Sequence, residues 1–70
     1  MMPLTFAEAG EENVIKRISG NPETKKHLED LGFVIGSVVK VISKLGGNVI
    51  VNVKDTRIAI SSEMATKIYI

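Results

Sequence analysis

Between residues 37 and 60 the apolar side chains return at every second position. Val39 and Val41, then Val49, Val51 and Val53, then Ile58 and Ile60 are each separated by a single residue. A period of two is the mark of a strand with one buried face. Only Lys44-Leu45-Gly46-Gly47 and Lys54-Asp55-Thr56 interrupt the pattern. Breaks this short allow tight reversals and nothing longer, so three strands over 37–43, 48–53 and 57–60 must lie side by side and antiparallel.

The flanking segments supply the rest of a small fold. Gly10-Glu11-Glu12-Asn13 predicts a turn, and Val14-Ile15-Lys16-Arg17-Ile18 a first short β-branched strand. Ile15 and Ile18 cannot share a face of a flat strand, which calls for a bulge or an early strand end. Asn21-Pro22-Glu23 opens a helix: Asn21 caps free N–H groups, Pro22 needs no N–H at the first position, and Glu23 suits the positive end of the dipole. The helix runs to about Leu31 and stops at Gly32, with Leu28 and Leu31 as a narrow apolar stripe. Residues 61–65 predict one helical turn with a serine cap, and residues 66–70 a closing strand.

Seventy residues hold one core, so the chain is a single domain over 1–70. An open flat sheet would leave long adhesive edges, and five short strands avoid this by curling into a small barrel. The expected core is Val39, Val41, Val49, Val51, Val53, Ile58, Ile60, Ile68 and Ile70, with Leu28 and Leu31 closing one end. The fold class is mainly β, with one short inserted α-helix and a C-terminal helical turn.

Several function classes fall away on composition. Nine basic and eight acidic residues leave a net charge of +1, which does not favour a polyanionic partner. The only aromatic residues are Phe6, Phe33 and Tyr69, too few for a base-stacking platform, so no nucleic acid is expected. Cysteine is absent, which removes disulfides and thiolate metal sites. The N-terminus lacks a basic and then apolar leader, and the most apolar stretch, 33–42, is broken by Gly36, Ser37 and Lys40. A soluble cytoplasmic protein is the expectation. The one histidine, His27, has no nucleophile and base arranged with it, and no phosphate-loop motif is present, so neither an enzyme nor a cofactor is expected.

Two features are left over. Glu23, His27 and Asp30 stand at i, i+4 and i+7 on one helix face, a weak candidate set for iron or zinc that reads equally as a solvated polar face. Val38, Ile42 and Ile50 point away from the core face, and Leu45 sits at a hairpin tip. They can be isolated surface residues, be covered by the helix or by an N-terminal arm carrying Leu4 and Phe6, or form an adhesive patch for a partner.

The middle of the chain, Lys25-Lys26-His27-Leu28-Glu29-Asp30-Leu31-Gly32-Phe33-Val34-Ile35-Gly36 followed by Val39 and Val41, resembles the FeoA family of small SH3-like barrels. Arg57-Ile58-Ala59-Ile60, the closing Ala65-x-x-Ile68-x-Ile70, and Pro3-Leu4 with Gly10 extend the likeness over the whole chain. These positions mostly determine the fold, with Ala59 expected where strands crowd. Ile35 replaces a frequent proline and Asp55 a frequent glycine, the latter implying slight strain.

The resemblance implies an SH3-like β-barrel and a non-enzymatic accessory role in ferrous-iron uptake. Its implied partner is the cytoplasmic region of a FeoB-like GTP-binding transporter, through which alone it would meet a membrane. Ile42, Leu45 and Ile50 are the candidate partner contacts, and the same patch would fit a homo-oligomer. The C-terminal domain of iron-dependent repressors shares this barrel, so a small metal-responsive or metal-binding regulatory barrel is the alternative. Starting at its own Met1 and lacking a DNA-binding helix pair, the chain reads as a stand-alone member.

Overall fold

The computed structural model describes residues 1–70. A 3₁₀ turn at Leu4–Phe6 precedes β1 (Glu12–Val14), β2 (Arg17–Ile18), α1 (Pro22–Asp30), β3 (Val38–Leu45), β4 (Asn48–Val53), β5 (Thr56–Ser61), α2 (Ser62–Ala65) and β6 (Ile68–Tyr69). Strands β1, β3, β4 and β5 form one antiparallel sheet in that order, and β2 pairs with β6 in a second. The architecture is mainly β, as expected. The two sheets wrap one core within 28 × 24 × 23 Å, although no single ladder closes the barrel.

The expected strand over 14–18 is in fact two strands in two sheets. The Ile15 N–H donates to the Ser37 carbonyl at 2.9 Å and its carbonyl accepts from the Gly36 N–H at 2.8 Å. One residue later the Lys16 N–H donates to the Tyr69 carbonyl at 2.8 Å. The chain therefore leaves one sheet and enters the other between Ile15 and Lys16. That step drives the Ile15 side chain fully into the core and ends the conflict with Ile18. The turn expected at 10–13 is shorter, because Glu12 and Asn13 already pair with Lys40 and Val39.

Both hairpin loops contain two residues. Lys44 and Leu45 extend β3, leaving Gly46-Gly47 as the first loop. Gly46 has φ 56° and Gly47 is not in the positive region, as a type II′ turn requires. In the second loop Lys54 and Asp55 both have positive φ, 50° and 62°, the pattern of a type I′ turn. Thr56, expected in this turn, pairs with Val53 instead. The strain expected at Asp55 is thus shared with Lys54.

The helix ends follow their local chemistry. The Asn21 Oδ1 accepts from the Thr24 N–H at 2.8 Å, and the Ser61 Oγ accepts from the Met64 N–H at 3.1 Å. Gly32, at φ 108°, turns the chain back after α1. Helix α2 holds residue 66 as its C-cap, so the last strand is only Ile68–Tyr69, shorter than the expected 66–70.

The core contains the five valines, Ile60, Ile68 and Ile70, as the alternation indicates, and Leu28 from the apolar stripe of α1. Ile58 and Leu31 are half-buried at its margin, not inside it. Leu4, Ala7, Ile15, Phe33 and Ala65 join the core from loops and short elements where no periodicity operates. Ala59 is exposed opposite Ile50 on the outer sheet face, so strand crowding does not explain its size. The ends of the chain are paired: the Met2 N–H donates to the Ile70 carbonyl at 3.0 Å, and the Ile70 N–H to that of Met2 at 2.8 Å.

Phe33 is the largest fully buried side chain. Phe33→Ala should cost about 3–5 kcal/mol in denaturant unfolding, the transfer and cavity cost of a buried ring. Asp55→Gly should instead raise stability by about 1 kcal/mol in the same measurement, because glycine takes positive φ without a Cβ clash.

Candidate partner-binding surface

The strict alternation that starts at Val39 would carry Leu45 to the inner face along with Val41. A register shift between Val41 and Ser43 prevents this. Val41 faces Val51 whereas Ser43 faces Ile50, so β3 carries one residue more than β4 at Ile42. Beyond the bulge the faces exchange: Lys44 lies opposite the buried Val49, and Leu45 turns outward opposite Asn48. Leu45 is 65% exposed.

Ile42 and Ile50 are half-buried and contribute less to this surface than Leu45 does. Phe6 is more exposed. The 3₁₀ turn brings Leu4 and Ala7, three residues apart, to one side, where both are fully buried. Phe6 must then face out, and it is 69% exposed. The Lys44 Nζ donates to the Thr5 carbonyl at 2.7 Å and ties this turn to the hairpin. Leu45 leaves the strand on the face opposite to Lys44, so this bond joins the two segments without bringing Leu45 and Phe6 together. The three-residue spacing of Leu4 and Ala7 is the signal in the sequence that marks Phe6. Within the N-terminal arm, Leu4 enters the core and Phe6 leaves it.

A second apolar area lies elsewhere. Val14 and Val38 face each other across β1 and β3 on the outer face, both about half exposed, and Ile35 is exposed beside α1. Ile35 also borders an open depression of about 300 Å³ with Ile18, Phe33 and Val34, rimmed by Lys25 and Glu29. A polar depression of about 260 Å³ lies over Glu12, Lys40, Asn52 and Lys54. Neither contains a nucleophile held by a base.

Glu23, His27 and Asp30 all sit exposed on α1. No three His, Asp or Glu side chains are grouped so as to hold a metal ion, these three included. The surface offers exposed apolar side chains and isolated charges.

A family model described as the FeoA domain matches residues 2–70. A candidate Fe(2+) transport protein A of Methanocaldococcus jannaschii is 40% identical over 70 residues, covering all of this chain and 85% of that protein. Among solved structures, FeoA of Stenotrophomonas maltophilia in complex with zinc, a prokaryotic SH3 domain protein, superposes with a TM-score of 0.85 at 25% identity, over 99% of this chain and 88% of that one. A manganese-dependent transcriptional repressor superposes with a TM-score of 0.89 over 97% of this chain and 39% of its own, at 20% identity, which shows a shared fold alone. The fold is thus SH3-like.

The exposed placement of these residues on α1 makes a metal test direct. Titration calorimetry with zinc or ferrous ions should give the same heat for the parent chain and for His27→Ala. A heat that disappears in the variant would place a metal ligand at His27.

Proposed function

The chain belongs to the FeoA domain family, that of ferrous iron transport protein A, and from this membership we propose that it serves iron uptake by docking onto the cytoplasmic region of a FeoB-type GTP-binding transporter. The observation that carries the reading is the outward-turned, exposed Leu45 at the β3–β4 hairpin. Leu45 is the primary contact, and Ile42 and Ile50 support the hairpin beneath. Burying a leucine side chain contributes about 1.5–3 kcal/mol, enough for a principal anchor.

The proposed mechanism is conformational, not chemical. Docking shifts the transporter between states only to the extent that the states bind this surface unequally. Both arginines lie within strands. Arg17 lies in β2 with its guanidinium 5.6 Å from the Tyr69 ring centre, and Arg57 lies in β5. No helix is long and apolar enough to cross a membrane, and the proposed site of action is the cytoplasmic side, where the partner region lies.

A binding assay with the purified cytoplasmic region of the cognate transporter tests this. The parent chain should bind. Leu45→Glu should weaken binding about tenfold or more, the equivalent of about 1.4 kcal/mol. Ile42→Ala and Ile50→Ala should weaken it less. Full binding by Leu45→Glu would move the contact to another face, and absence of binding by the parent chain would refute docking.

A further inference from the structure

Strand β5 ends the four-stranded sheet, and its outer side has no neighbour. The two-residue loop makes Val53 and Thr56 a hydrogen-bonded pair, which sets the phase of the whole strand. Ile58 and Ile60 then bond back to Val51 and Val49, whereas Arg57 and Ala59 aim their N–H and C=O groups away from β4. These four groups have no partner among the turn, loop and side-chain hydrogen bonds of the molecule. Six consecutive residue pairs join β4 to β5 without a shift, and β5 contains no proline. The usual devices that blunt an edge, a bulge or a proline, are missing here, and Arg57 is its only charge.

We propose that β5 is the docking edge for a second copy of this chain, which pairs with it antiparallel about a two-fold axis at Ile58. In that register Arg57 of each copy faces Ala59 of the other, and each pair exchanges both of its backbone bonds. No like charges oppose one another, and the net charge of +1 per copy adds little repulsion. The half-buried Ile58 meets its counterpart at the closer spacing of a non-hydrogen-bonded pair, which covers apolar surface left open at the margin of the core. The interface is one short strand, so the dimer belongs to the weak class burying under about 1,200 Å² and forms at high protein concentration. It is separate from the Leu45 surface and does not depend on the transporter reading.

Amide hydrogen exchange, followed by NMR from micromolar to millimolar protein alongside sedimentation, tests the proposal. The Ile58 and Ile60 amides should be protected throughout. The Arg57 and Ala59 amides should exchange freely in dilute solution and slow severalfold as the dimer forms. Ala59 is exposed, so its variants retain the fold. Ala59→Glu, opposite Arg57 of the other copy, should strengthen the dimer, and Ala59→Lys should weaken it. The proposal is overturned by a monomer at millimolar concentration, by a dimer in which the Arg57 and Ala59 amides stay unprotected, by an effect of Glu and Lys in the reverse order, or by protection that appears only when a transporter segment is added.

Discussion

Five valines on the inner face of β3 and β4 must be covered by the rest of the same short chain. Without cysteine there is no crosslink to hold partial cover in place, so burial has to be complete. Most of the remaining elements contribute to it. The N-terminal turn inserts Leu4 and Ala7, the crossing between sheets inserts Ile15, and α1 with the segment after it inserts Leu28 and Phe33. Helix α2 and the last strand add Ala65, Ile68 and Ile70. The pairing of Met2 with Ile70 holds the two ends of the chain against this core.

The cover leaves a characteristic remainder. Turning Leu4 inward turns Phe6 outward, and the bulge at Ile42 turns Leu45 outward. The proposed docking surface is therefore a by-product of closing the core at that end. The polar residues Glu23, His27 and Asp30 of α1 are exposed, and no second ligand-bearing element faces them to complete a group of three.

Much of the fold could be read from local chemistry. Both helix caps use side chains whose role depends only on residues within one turn, and the central strands follow a period that any buried sheet face imposes. Leu45 was legible as a surface residue, but from its place near a turn and not from its true cause. Phe33 and Ile15 were not legible as core, because each lies outside a periodic element and is buried by parts of the chain distant in sequence. Ile42 and Ile50 look fully outward in a regular strand, and both are half-buried instead.

By itself the sequence determined a mainly β fold, three antiparallel central strands, the two helices and their caps, and the family likeness. Each of these rests on spacing or on contacts within a few residues. Only the tertiary structure decided that the first strand divides between two sheets, that β3 takes one extra residue, and that β5 keeps an open edge. Those outcomes depend on which strands meet and in what register, and long-range pairing is a competition among whole-chain arrangements that no local pattern records.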